Sequence, residues 1–291
     1  MISFENISYR VYRKLRSIVL REKSAYLSSP YFIKHTELNR NCGKNEIALR
    51  PGLKLNISPG SRLGFEYFCF RDEDPIKEFD CFLEIAARKE RLLDIGALHG
   101  IFSLSFTINR PGAKALAIDP SPIAFPRLLE NIFLNPSCNI KARRHALSDK
   151  DQFFDMHFEW EHLVVNAISA GKYSKSVTIE ALTGDEVCAE EKFIPDLIKI
   201  DVEGYEWQCL AGLRHTIDKY RPVVLLEVHP AMLLNFGKFP ADLVDFFKTY
   251  GYRFSDSAKA YLSEQEVRNF TVIRRIVAEP ANASLSSRKV I

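Results

Sequence analysis

Two short apolar runs in this sequence carry ionisable residues that ordinary core strands lack. Leu197-Ile198-Lys199-Ile200-Asp201 runs into Val202-Glu203-Gly204, and Val223-Val224-Leu225-Leu226-Glu227-Val228-His229 ends at Pro230. Strands buried on both faces of a parallel sheet read as continuous hydrophobic runs, so charges in them need a reason. Side chains alternate along a strand, which puts Lys199 with Asp201, and Glu227 with His229, on common faces. If the two strands are neighbours, these groups meet at the carboxyl edge of the sheet. A buried lysine must be paired, and Glu227 is the acid expected to face it; that pair can be purely structural. The other groups could move a proton. Glu203, Glu227 and His229 are the candidate catalytic residues, each able to take a proton from a hydroxyl, with His145 behind them. Asp201, Glu203 and Glu227 could offer hard oxygens to a cation, but their spacing compels no metal and none is assigned.

A second constellation lies upstream. Leu92-Leu93-Asp94-Ile95 reads as a buried strand and Gly100 to Ile108 as a helix, joined by the turn Gly96-Ala97-Leu98-His99-Gly100. Glycines let a backbone approach a ligand closely, and a following helix turns free N–H groups toward it. In open α/β folds such a turn binds nucleotides. The next strand, Lys114 to Ile118, ends in Asp119, an acid suited to the two hydroxyls of a ribose. The Gly96-x-x-x-Gly100 spacing departs from the G-x-G-x-x-G of dinucleotide folds and argues against a nicotinamide cofactor.

These groups must be positioned by strands that alternate with helices. Ile47 to Ile57, with Pro51-Gly52 at its centre, reads as a β-hairpin. Asp74-Pro75 opens a helix whose buried face is Ile76, Phe79, Leu83 and Ala86. A helix follows Pro120-Ser121-Pro122, and Asn139 to Arg143 forms a third strand, ahead of His145-Ala146-Leu147-Ser148-Asp149. Residues 150–183 read as an edge hairpin with a mobile loop from Glu161 to Lys175. A helix spans Asp242 to Tyr250, and the last strands are Gly251 to Phe254 and Phe270 to Ile273. The alternation predicts an α/β fold with a mostly parallel sheet covered on both faces. We divide the chain into an N-terminal extension (1–75), a main domain (76–278) and a disordered tail from Glu279 (279–291).

Composition narrows the partners. The 291 residues carry a net charge of +3, of which residues 1–23 supply +4. The near-neutral remainder argues against nucleic acid. Ile7, Val11, Leu15, Ile18 and Val19 recur at helical spacing among arginines and lysines. Such a basic amphipathic helix either docks on the main domain or makes a weak contact with an anionic membrane surface. No apolar run approaches the roughly 20 residues of a membrane span. Six scattered cysteines without a C-x-x-C pair suggest reduced thiols in a cytoplasmic protein.

Taken in order, Leu92 to Ser103, Ala117 to Pro122, His145 to Asp149, and Asp196 to Leu213 followed by Val223 to Pro230 resemble the FkbM family of S-adenosylmethionine-dependent methyltransferases. The resemblance implies a doubly wound, Rossmann-like sheet of seven strands, with S-adenosyl-L-methionine as cofactor. It implies cofactor contacts from Asp94, Gly96, Ala97, Gly100, Phe102, Asp119, Pro120, Ser121, Ala146, Leu147 and Asp201. The expected reaction is O-methylation of a hydroxyl on a sugar, glycan or other small molecule. A nicotinamide-dependent oxidoreductase and a non-catalytic binding module are the alternatives. The family usually has Asn where this chain has Leu98, which removes one side-chain hydrogen bond to the cofactor.

Overall fold

The computed structural model describes residues 37–66, 69–70, 73–159, 162–164 and 176–281. The basic amphipathic segment 1–23, most of the expected loop Glu161 to Lys175 and the tail beyond residue 281 lie outside the described residues. Among the described residues no helix is long and apolar enough to cross a membrane. All six cysteines are free thiols.

The chain opens with the expected hairpin, β1 (Glu46–Arg50) paired antiparallel to β2 (Leu53–Asn56). Helix α1 (Glu73–Ala86) leads into β3 (Arg91–Ile95), α2 (Ile101–Thr107), β4 (Lys114–Ile118), α3 (Ala124–Leu134) and β5 (Ile140–Arg143). After an excursion come β10 (Leu197–Ile200), α4 (Glu206–Ala211), β11 (Val223–Val228), α5 (Pro240–Thr249), β12 (Tyr252–Asp256), β13 (Tyr261–Leu262) and β14 (Arg274–Pro280). The main sheet has the order β13-β12-β14-β11-β10-β3-β4-β5. Five strands, β11 to β5 in that order, run parallel; β14, β12 and β13 add antiparallel steps. The sheet therefore holds eight strands instead of seven, the extra one being the two-residue β13 at the edge.

The excursion is β6 (Ala146–Ser148), β7 (Gln152–Glu159), β8 (His162–Val164) and β9 (Ser176–Thr183). These form a separate four-stranded sheet of order β6-β9-β7-β8. The antiparallel hairpin over 150–183 is present, but it is not an edge of the main sheet. Two further boundaries move. The last strand starts at Arg274 and not at Phe270, and it runs through Glu279 to Pro280, where the sequence suggested a disordered tail.

The hairpin shares one core with the domain. Ile47, Leu49, Leu55 and Ile57 are buried together with Phe79 and Phe82 of α1 and Phe102 and Phe106 of α2. Burying each such side chain is worth about 1.5–3 kcal/mol. Polar ties set the register. Asn131 of α3, fully buried, accepts from the Ser58 N–H at 2.8 Å and donates to the His99 carbonyl at 2.9 Å. One asparagine thus fixes the hairpin's exit against the glycine turn.

A buried charge network ties α1 to the sheet. Lys199 on β10 is 1 % exposed and lies 3.1 Å from Glu78 of α1 and 3.5 Å from Asp201. Its ammonium also lies over the Phe102 ring at 4.8 Å. The expected partner, Glu227, is instead 2.6 Å from Arg275 of β14, which also bonds Glu78 at 2.6 Å. Glu78 therefore bridges two cations and cannot be lost without leaving Lys199 short of a partner. Replacing Glu78 by Ala should cost about 3–5 kcal/mol. Urea unfolding checks this: a large fall in midpoint at unchanged slope is expected, and an unaltered midpoint would contradict the bridging role.

Candidate active site

The site lies where the chain direction reverses across the sheet. From β3 the chain moves outward to β4 and β5; it then returns to β10 on the other side of β3. Loops leaving β3 and β10 diverge there, and a crevice opens at their carboxyl ends. It holds a cavity of about 890 Å³.

One end of the cavity is the glycine turn. Gly96 has φ 77, and a Cβ there would stand 1.8 Å from the Asp201 carbonyl oxygen, so only glycine lets the ends of β3 and β10 touch. The Gly96 and Ala97 N–H groups both donate to the Ile118 carbonyl, at 2.9 and 3.0 Å, which moors the turn to β4. Asp119 is 5 % exposed; it accepts from the Leu98 N–H at 2.7 Å and the Ser121 N–H at 2.8 Å. Burial pushes its pKa up to about 7 against the pull of those two N–H donors.

Nine of the eleven expected cofactor contacts line the cavity: Gly96, Ala97, Phe102, Asp119, Pro120, Ser121, Ala146, Leu147 and Asp201. Two do not. Asp94 is turned into α2, where it accepts from the Ser103 N–H at 3.1 Å and the Ser103 hydroxyl at 2.6 Å. Burial raises its carboxyl to about 6. Gly100 precedes α2 with φ 86 and packs toward Leu128 of α3, so it shapes the turn from behind.

The other end is the charged edge of β10 and β11, which are neighbours and pair in parallel, so the condition set by the sequence is met. Glu203, Glu227 and His229 all line the cavity with Asp201. His229 Nε2 lies 3.4 Å from Glu203, 3.9 Å from Glu227 and 4.0 Å from Asp201. Its Nδ1 meets Glu206 at 2.6 Å. Burial works against a charge on His229, but the bond to Glu206 and the Asp201 and Glu203 carboxylates outweigh it and lift the pKa to about 9. Glu227 is pushed up to about 9 by burial and by Asp201 and Glu78. Asp201 is held below its usual range, because Lys199 and His229 outweigh its burial. The ligand-free cluster thus has Asp201 ionised and protons on Glu227 and His229. His145 also lines the cavity, but burial and Arg143 lower its pKa, and it lies 3.1 Å from Glu180.

Glu203 owes its position to the backbone. It has φ 51 and Gly204 has φ 100, two left-handed residues in a row that turn the chain back over the strand end. For a residue with a Cβ this costs roughly 1–2 kcal/mol. The Glu206 carboxylate accepts from the Gly204 N–H at 3.0 Å, and a hydrogen bond to a charged group is worth about 1.5–3 kcal/mol, enough to hold the turn.

The comparisons with known proteins bear on this geometry. The FkbM methyltransferase domain matches residues 94–254, more than half of the chain. The chain belongs to the FkbM methyltransferase family. It is 30% identical to the hexuronic acid methyltransferase AglP of Haloferax volcanii, over 50% of this chain and 59% of that protein. It is 28% identical to the 2-O-methyltransferase NoeI of Sinorhizobium fredii, over 45% of this chain and 60% of that protein. The chain thus spans about three fifths of each of these relatives. A solved FkbM methyltransferase from Methylobacillus flagellatus aligns at a TM-score of 0.43 and 14% identity, covering 77% of this chain and 66% of that one. Family membership displaces the nicotinamide alternative.

Three residues of the site escaped the sequence reading. Glu206 falls three positions after Glu203, and Glu78 interrupts the apolar face of α1; both were legible as acids in buried places. Arg275 gave no signal, because its strand was placed too early. Leu98, where the family favours Asn, has φ 48 and is half-buried. Asn tolerates the left-handed region better than Leu. Leu98→Asn should therefore stabilise the fold, by about 0.5–1 kcal/mol or roughly 2 °C in thermal unfolding. An unchanged or lower melting temperature would show that the Leu98 side chain makes up for its backbone.

Proposed function

We propose that the chain transfers a methyl group from S-adenosylmethionine to a hydroxyl of a sugar. The observation that carries the reading is the cavity itself. It joins a glycine turn with a buried acid at one end to a proton-accepting cluster at the other. The FkbM family membership and two relatives named as a hexuronic acid methyltransferase and a 2-O-methyltransferase support it.

The residues present fit the cofactor. Gly96 leaves the backbone bare at the mouth of the β3–β10 crevice, and Asp119 offers lone pairs beyond the two N–H bonds it accepts, since a carboxylate has about four acceptor positions. Gly96, Ala97 and Leu98 would lie along the cofactor's methionine end, Asp119 at its ribose hydroxyls, and Ala146 and Leu147 beside the adenine. When bound, S-adenosylmethionine supplies a methyl group on a cationic sulfur that needs no further activation. The protein must align the acceptor, exclude water and take one proton. Asp201 contributes negative charge near the cationic centre. Glu203, whose side chain is 30% exposed where those of Glu227 and His229 are 6% and 3%, is the group that meets the acceptor and takes its proton. His229 and Glu227, each holding a proton in the ligand-free cluster, act through their charge and hydrogen bonds.

Calorimetry with S-adenosylmethionine, with NAD as the comparison, tests the cofactor. Binding of the first alone is expected, and binding of neither would leave a non-catalytic module. Asp119→Ala should weaken binding by at least about tenfold, the loss of charge-assisted bonds worth roughly 1.5–3 kcal/mol each. Ribose hydroxyls donate to the ionised carboxylate, and its pKa is about 7, so affinity should rise as pH increases through neutrality and fall on the acid side. Asp119→Asn should lose that pH dependence; if the variant keeps it, another group titrates.

Turnover separates the two acids. With labelled cofactor and a panel of hydroxylated sugars, Asp201→Asn should lower both binding and rate. Glu203→Gln should lower the rate by about 10²–10⁴-fold with cofactor affinity kept. Full turnover in Glu203→Gln together with its loss in His229→Ala would move the base to β11.

A further inference from the structure

We propose that Asp201, Glu227 and His229 form a divalent-cation site on the cavity wall, suited to an ion of the Mn²⁺ or Mg²⁺ class. One ligand atom from each lies within 4.8 Å of the other two. Donors bind ions of this class at about 2.0–2.2 Å, so adjacent donors on one ion stand about 3–3.5 Å apart, and the three must draw together by about 1 Å. The set is mixed, one imidazole and two carboxylates from the ends of neighbouring strands, a combination that such ions accept.

The buried imidazole points to a ligand independently of the acids. His229 is 3 % exposed, and its Nδ1 is committed to the fully buried Glu206 at 2.6 Å. A carboxylate on the far nitrogen is the arrangement that orients metal-bound histidines and fixes which nitrogen faces the ion. The other nitrogen, Nε2, faces the Glu203, Glu227 and Asp201 oxygens at 3.4, 3.9 and 4.0 Å, ion-pair distances longer than an ordinary hydrogen bond.

Charge points the same way. Around His229 the described residues gather five carboxyl groups, Glu78, Asp201, Glu203, Glu206 and Glu227, the last holding a proton in the ligand-free cluster, against Lys199, Arg275 and the protonated imidazole. Lys199 engages Asp201 through Oδ2, whereas Oδ1 is the atom that faces His229. Arg275 donates to Glu227 Oε1, an oxygen with a second lone pair. A dication binding there would release the protons on Glu227 and His229 and take their place, without displacing Lys199 or Arg275.

An ion there would polarise a hydroxyl presented beside it and ease the passage of its proton to Glu203. That role rests on the transferase reading; the binding itself does not. The test uses the full chain, stripped with EDTA and desalted, titrated with MnCl₂ and followed by the loss of the free-ion paramagnetic signal, with neither cofactor nor acceptor present. One Mn²⁺ per chain is expected. Asp201→Asn and His229→Gln should each weaken it by about tenfold or more, and Glu206→Gln, which touches no ion, by about 10–100-fold. Asp119→Asn should bind Mn²⁺ as the wild type does. Circular dichroism and thermal unfolding establish that the variants are folded. No saturable binding by the wild type, or binding kept in both Asp201→Asn and His229→Gln, would overturn the site. Failure of the transferase reading shows separately, as a chain that binds Mn²⁺ but not S-adenosylmethionine.

Discussion

A lysine ammonium buried in the middle of a sheet links the packing of this molecule to the charge of its cavity. Lys199 occupies a position where its neighbours on β10 are wholly apolar. Desolvation of a charge there costs several kcal/mol, which only close anions can offset. The offset comes from two directions. Glu78 reaches in from α1 and Asp201 from the strand's own end, and their pull outweighs burial, so Lys199 holds its proton more firmly than a free lysine. The same contact keeps Asp201 ionised at the cavity wall. Packing of α1, the order of the sheet's centre and the charge of the site are therefore one arrangement.

The second constraint is steric. The ends of β3 and β10 approach so closely that Gly96 faces the Asp201 carbonyl with no room for a Cβ. Asp201 in turn donates its N–H to the Ile95 carbonyl at 3.1 Å. The glycine turn and the acidic edge are thus in mechanical contact, and the two ends of the cavity keep a fixed spacing. Fixed spacing is what an in-line displacement asks of a scaffold, because misplacement by about 1 Å can cost roughly 10²-fold in rate.

Much of this was legible in the sequence, for identifiable reasons. Strands β3, β4, β10 and β11 announce themselves as apolar runs, and period-two alternation alone put Lys199 with Asp201 and Glu227 with His229. The hairpin was marked by Pro51-Gly52. What escaped was pairing across distance. Nothing local says that Lys199 is answered from α1, about 120 residues earlier, and not by Glu227 on the adjacent strand. β14 was misplaced because Phe270 to Ile273 is the more hydrophobic run, while the true strand carries Arg274 and Arg275 at its start. The small second sheet was read as an edge because its hairpin alternates as any edge hairpin would; only the pairing of β6 with β9 separates it from the main sheet.

That second sheet has a consequence for how the protein can change. β6 leaves the main domain beside the cavity, and β9 returns alongside it in parallel, with Ser148 opposite Thr183. Tyr205 then pins the root of the insert, its hydroxyl 3.0 Å from Ser148 and 3.1 Å from Gln152. The strands β7 and β8 lie between, in an insert that counts entropically as a loop closed at both ends. Lengthening such a loop costs little, about 0.6 kcal/mol for each doubling. The insert can therefore be exchanged, shortened or elaborated while β3, β10 and β11 keep their register. It is a natural graft point at the rim of the cavity, where Phe154 of β7 lines the wall, and changes there leave the strand ends beneath undisturbed.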